Sequence, residues 1–252
     1  MNKNDPFQPS AWDLIVAAAL LTRLPLPHAP KQAFENQARA VWAFPLVGLL
    51  IGALMCVVGA LALALGLEAG IAAGLMLGAS VVATGAMHED GLADCADGFW
   101  GGFAPARRLE IMKDSQIGTY GVLALIIVIG LRWMALATLI NFGWGAVICA
   151  AVLSRAMMPI AMNTLPYARE NGLAHSVGKP SSRVVQIAVI TGVVLALLAA
   201  GWSALVALLV ALACAALVRL IAKAKIGGQT GDVLGATQII SETAVLITLA
   251  IV

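Results

Sequence analysis

Residues 184–218 form a stretch of 35 residues without one charged side chain. About 20 apolar residues cross the hydrocarbon of a bilayer, so this stretch is too long for one span. Gly201-Trp202-Ser203 divides it into a hairpin. The pattern recurs upstream. Runs 41–67 and 70–87 are uncharged, and the short turn between them carries only Glu68. Runs 117–140 and 144–165 turn at Asn141-Phe142-Gly143. A last run, 233–252, contains Gln238 and Glu242 and either spans or dips in from one side. The first apolar segment, 12–21, is too short to span. Arg23, Pro25 and Pro27 follow it, so it reads as an interfacial or re-entrant helix.

These runs predict an all-α fold. It is a polytopic integral membrane bundle of about six to seven transmembrane helices in hairpins, with a short N-terminal helix outside the spans. Residues 1–252 are expected to form a single membrane-embedded domain. The chain is 61% hydrophobic and 11% charged, whereas soluble domains are about 45–50% apolar. A membrane barrel would need alternating strands, which are absent here. Helices satisfy their own backbone groups in lipid. No basic stretch leads into a cleavable apolar segment, so no removable leader is expected. The net charge of +2 and the lack of any basic run exclude nucleic acid as an expected partner.

Charge is distributed unequally between the two ends of the bundle. Loops 23–40, 88–116, 166–183 and 219–232 hold Arg23, Lys31, Arg39, Arg107, Arg108, Lys113, Arg169, Lys179, Arg183, Arg219, Lys223 and Lys225. That is 12 of the 15 basic residues, and the opposite turns hold none. The positive-inside rule places this face in the cytoplasm of a bacterial inner membrane. Every polar motif lies on it. The cysteines, Cys56, Cys95, Cys149 and Cys214, form no close pair and read as packing.

Residues 88–102 gather Glu89, Asp90, Asp94, Asp97 and four glycines directly after an apolar run. Carboxylates at the mouth of a membrane helix are expensive to desolvate. Asp90, Asp94 and Asp97 follow i, i+4, i+7 spacing and share a helix face. Three like charges repel unless a cation joins them, and Mg²⁺ with oxygen ligands and substrate phosphates is the simplest choice. Glu89 turns away from that face and reads as outer support for the metal. A solvated acidic loop is the plain alternative. Cys95, a single soft ligand, does not suit Mg²⁺.

A second motif, residues 113–121, opens the next membrane helix with Lys113, Asp114 and Ser115. Ser115 is a candidate helix cap. The helix start, with Lys113, suits a phosphate, although capping and interfacial anchoring also explain these residues. The third motif places Gly227, Gly228, Thr230, Gly231 and Asp232 before the last helix, with Ser241 and Glu242 further along. Such a loop is a candidate phosphate or nucleotide cradle, or a flexible turn followed by an acid paired with a lysine. Arg132 and Arg155 lie inside two membrane segments, where a buried guanidinium faces either an anionic ligand or a protein carboxylate.

Taken together and in this order, three patterns resemble the cobalamin synthase family, the adenosylcobinamide-GDP ribazoletransferases. They are Glu89-x-Gly-Leu-Ala-Asp-x-x-Asp-Gly, Lys113-Asp-Ser-x-x-Gly-x-Tyr-Gly and Gly227-Gly-x-Thr-Gly-Asp-x-x-Gly-Ala. Arg23-Leu-Pro, Phe44-Pro-Leu-Val-Gly and Ser154-Arg155 support the resemblance, which covers nearly the whole chain. It implies that a ribose hydroxyl of α-ribazole, or of α-ribazole phosphate, attacks the cobinamide-linked phosphorus of adenosylcobinamide-GDP and expels GMP, with Mg²⁺ required. The site expected on that basis assigns Asp90, Asp94, Asp97 and Glu89 to the metal. Asp94, Asp97 and Lys113 serve catalysis, with Asp97 favoured as the proton acceptor. Lys113, Asp114, Ser115, Arg132, Arg155, Gly227, Gly228, Thr230, Asp232 and Glu242 hold substrate. The lipid bilayer is an expected partner, and a homo-oligomer is compatible with the sequence. A CDP-alcohol phosphotransferase is the nearest alternative, because Asp94-x-x-Asp97-Gly98 matches the opening of its motif. Phe99-Trp100-Gly101-Gly102 departs from what should follow. A cation-coupled transporter would instead carry its acids at the membrane midplane.

Overall fold

The computed structural model describes residues 9–251, so positions 1–8 and 252 of the expected single domain lie outside it. The regular structure of the described residues is helical, apart from one isolated bridge between Tyr167 and Gln229. Helix α1 (Ala11–Leu21) is capped by Ser10 in a reciprocal box with Asp13. Two short turns and α2 (Gln37–Ala40) lead to α3 (Phe44–Ala64), which pairs with α4 (Ala69–Thr84). Helix α5 (Met87–Gly101) and short α6 (Pro105–Ile111) precede α7 (Thr119–Leu139) and α8 (Gly145–Thr164), which a short turn joins but which pack mainly on other helices, α7 on α5 and α4 and α8 on α3 and α10. Short α9 (Leu173–Val177) leads to α10 (Ser182–Ala200) and α11 (Ser203–Ile226), and α12 (Gly231–Leu249) closes the chain. Among the described residues, six helices are long and apolar enough to cross a membrane, and α4 with α5 forms a bent pair that would make a seventh. The protein is an integral membrane helical bundle.

Helix α8 is the axis of the bundle. It packs against α3, α10, α11 and α12, and 14 of its 20 residues are buried. Small residues make this possible. A Cβ on Gly48 would strike the carbonyl oxygen of Ala151, and one on Gly145 that of Ala199. Close backbone approach of this kind is the usual basis of helix association in lipid, where no hydrophobic force drives helices together. Large apolar side chains such as Val82, Ile126, Leu198 and Leu209 face outward instead, as a lipid-facing surface does.

The expected loop 219–232 is largely helix. Helix α11 runs on to Ile226, with Lys223 and Lys225 in its last turn. Cations there complement the helix dipole, and their stems can reach along apolar surface to water.

Between α4 and α5 the chain turns by 86°. Gly85 (φ 65) and Ala86 (φ 57) both adopt the left-handed conformation there. For alanine this costs about 1–2 kcal/mol, a strain that the surrounding packing holds. The turn carries the acidic helix away from the line of α4.

Candidate active site

Helix α5 brings its three aspartates to one face, each in a different setting. Asp90 is exposed, Asp94 is partly buried and Asp97 is buried. Asp97 accepts hydrogen bonds from the backbone N–H of Gly118 at 2.7 Å and of Gly121 at 2.9 Å. These are free donors at the start of α7, so Asp97 caps that helix from across the chain. This corrects the expectation for Ser115: the N-cap position is Gly118, and the capping carboxylate comes from α5. It also explains both glycines. A Cβ on Gly118 would lie 2.5 Å from Asp97 Oδ1, and one on Gly121 would strike Oδ2.

Lys113, Asp114 and Ser115 lie in the turn before α7. With Asp90, Asp94 and Gln116 they line an open polar cavity of 270 Å³. Asp114 accepts from the N–H of Gln116 at 3.0 Å and shapes that turn.

Opposite, the start of α12 presses on α5. A Cβ on Gly91 would lie 2.7 Å from the backbone oxygen of Asp232, and one on Gly235 would lie 3.2 Å from that of Met87. This crossing brings Asp232 within electrostatic range of Asp94, which also feels Asp90 and Asp97. Thr230 caps α12 and donates to Asp232 Oδ2 at 3.0 Å. Arg169 donates to the same oxygen at 3.3 Å. Replacing Gly91 with leucine is expected to push α5 off α12, destabilise the fold by about 1–3 kcal/mol and strongly reduce turnover. Thermal unfolding in detergent and a product assay check both, and wild-type behaviour in each would refute the tight crossing.

Gly227 and Gly228, two residues of the expected cradle, have structural explanations. Gly227 ends α11 with φ 79. A Cβ on Gly228 would strike the carbonyl oxygen of Pro166. There the loop is stitched to the segment after α8: the Gln229 N–H donates to Pro166 O at 2.8 Å, and the Ala168 N–H donates to Gln229 O at 3.0 Å. The stitch delivers Arg169 to Asp232. Sequence reading grouped Arg169 with the ordinary inside-facing charges, because nothing local distinguishes it. Only the pairing of Gln229 with residues 166–168 reveals its position.

Glu89, Arg132, Arg155 and Glu242 meet in the interior. Arg132 donates to Glu89 Oε1 at 2.9 Å and to Glu242 Oε1 at 2.5 Å. Arg155 donates to Glu242 Oε2 at 3.3 Å, and Gln238 donates to the same oxygen at 2.5 Å. The four charges sum to zero and tie α5, α7, α8 and α12 together. The structure therefore turns both arginines toward protein carboxylates, and Glu242 pairs with arginines rather than a lysine. Glu89 faces Arg132 from the side of α5 away from the aspartates. Among the described residues, no three His, Cys, Asp or Glu side chains close into a metal cage. The groups that remain together at the mouth are Asp90, Asp94, Asp232, Lys113 and Arg169.

This assembly sets carboxylates beside cations. Its donors are carboxylate oxygens, the ligand type Mg²⁺ takes, usually one or two at a time alongside substrate phosphates. Lys113 and Arg169 add cations beside it.

No solved structure matches the chain. Among curated proteins, it is 44% identical over 242 residues to the adenosylcobinamide-GDP ribazoletransferase of Bradyrhizobium diazoefficiens, covering 94% of this chain and 93% of the relative. It is 41% identical over 253 residues to the protein of that name from Sinorhizobium medicae, covering 95% and 97%. A protein of the same name from Mesorhizobium japonicum is 41% identical over 238 residues, covering 93% and 91%. The profile of one family, described as cobalamin-5-phosphate synthase, matches residues 13–250. A match of that length, with the acidic and glycine motifs in the geometry described, places this chain in the cobalamin-5-phosphate synthase family.

Proposed function

We propose that this membrane protein transfers the cobinamide phosphate of adenosylcobinamide-GDP to a ribose hydroxyl of α-ribazole or α-ribazole 5′-phosphate, with release of GMP. The observation that carries this reading is the convergence of Asp90, Asp94 and Asp232 with Lys113 and Arg169 at one end of the bundle. The relatives' names point to adenosylcobinamide-GDP as the donor, and the acceptor is what the family resemblance implies. The new bond joins the ribose oxygen to the cobinamide-linked phosphorus, the bond to the GMP oxygen breaks, and the ribose proton leaves to a base. Such transfers depend on positioning and on neutralising phosphoryl oxygens.

Asp90 and Asp94 would hold Mg²⁺ together with substrate phosphate oxygens, and its contribution would be to neutralise charge on the diphosphate. Lys113 holds a phosphate from the α7 side and Arg169 from the α12 side. Asp97 fixes the start of α7, so that the turn bearing Lys113 keeps its place beside Asp94. With both oxygens engaged by backbone donors, Asp97 is a positioning residue, and Asp94 is the better proton acceptor. The clustering of basic residues at this end supports a cytoplasm-facing site in a bacterial inner membrane.

Protein purified in detergent, mixed with adenosylcobinamide-GDP and α-ribazole, is expected to release GMP and a cobamide in equal amounts. Chelation of Mg²⁺ should lower the rate by about a thousandfold, and added Mg²⁺ should restore it. Folded protein that forms neither product in the presence of Mg²⁺ would refute the assignment.

A further inference from the structure

His88 follows the α4–α5 turn and is 2% exposed. Its Nε2 is buried and has no hydrogen-bond partner among the described residues. A buried polar group without a partner costs about 1–3 kcal/mol, and native structures seldom leave one without a reason. His88 lines a cavity of 40 Å³ whose other walls are apolar, among them Phe44, Met87, Met158, Met162 and Leu173. We propose that this cavity takes the bicyclic aromatic base of the acceptor nucleoside, with the Nε2–H of His88 donating to the one free ring nitrogen. The proposal rests on the acceptor named above and adds where and how its base binds.

The chemistry of the cavity selects among the available ligand parts. Guanine carries several donors and acceptors that apolar walls would leave unpaired. A benzimidazole-type base has an apolar ring and, once joined to ribose, a single free nitrogen. One polar group in an apolar pocket is what such a ring requires. Aromatic rings also make favourable contacts with methionine sulfur.

The cavity's position agrees with this choice. Ala174 and Gly231 line both it and the adjoining cleft that contains Arg169 and Thr230. A base in the cavity therefore has its ribose beside the Arg169–Asp232 pair, where the reacting hydroxyl is needed.

At 40 Å³ the cavity has room for water but not for a bicyclic ring, so a wall must move. Three of the lining residues are methionines, which adapt their shape readily. Another wall is α9, five residues long and flanked by Gly172 (φ 107) and Gly178 (φ 88). Glycine at both ends makes α9 the wall that yields.

Steady-state kinetics with both substrates tests the proposal. His88→Leu removes the donor, and Ala174→Phe fills the cavity from α9. Each is expected to raise the KM for α-ribazole about tenfold while the KM for adenosylcobinamide-GDP stays at its wild-type value. In the wild-type protein, free 5,6-dimethylbenzimidazole should inhibit competitively against α-ribazole, a measurement that needs no variant to fold. Lack of such inhibition, or a rise confined to the KM for adenosylcobinamide-GDP, would overturn the assignment and leave the reaction standing. A wild-type protein that makes no cobamide would remove both.

Discussion

Alanine at Asp94 is expected to lower turnover by about a thousandfold or more and to leave thermal unfolding in detergent unchanged. Asp94 makes no hydrogen bond or ion pair to another described residue, and it stands within range of Asp90, Asp97 and Asp232. Its removal deletes a like charge from a crowded site, so the fold loses nothing it depends on. Loss of activity with intact stability separates a chemical role from a structural one. Alanine at Asp97 should behave differently. It strands the N–H groups of Gly118 and Gly121, which costs about 1–3 kcal/mol, so activity and stability fall together. The two variants are compared by GMP release and by unfolding in the same detergent. An active Asp94→Ala protein would defeat the proposed site.

Alanine at Glu242 should destabilise the protein by about 3–5 kcal/mol, the usual consequence of removing one partner from a buried ion cluster. Arg132 and Arg155 would remain, both almost fully buried, with only Glu89 to balance them. Methionine at both Arg155 and Glu242 restores neutrality with side chains of similar bulk, and it should recover most of that loss. The measurements are the unfolding midpoint and the yield of monodisperse protein from membranes. If Glu242→Ala unfolds at the wild-type temperature, the cluster does not anchor the bundle.

Several features of the site were legible from residue types alone. The i, i+4, i+7 aspartates do share a face of α5, and the glycine motifs do lie at the end of the bundle that carries the acids. Other assignments depended on partners that no local pattern specifies. Ser115 has the right chemistry to cap α7, but Asp97 takes that place because α5 packs across the helix start. Gly118, Gly121 and Gly228 could each have served a ligand, yet each lies where a Cβ would meet protein atoms. Arg169 looked like any inside-facing charge until the backbone of Gln229 paired with residues 166–168.

The amino-acid sequence by itself determined the spans and the end of the bundle that carries the charges. Transfer to lipid is summed over some 20 residues, so the signal survives without any knowledge of neighbours. Tertiary structure alone decided which charges face one another. Arg132 reaches Glu89 across 43 positions and Glu242 across 110. Whether a buried guanidinium meets a substrate phosphate or a protein carboxylate depends on which helices cross beside it. That crossing is set by small residues such as Gly48 and Gly91, whose role lies in the side chain they lack, and hydropathy does not record it.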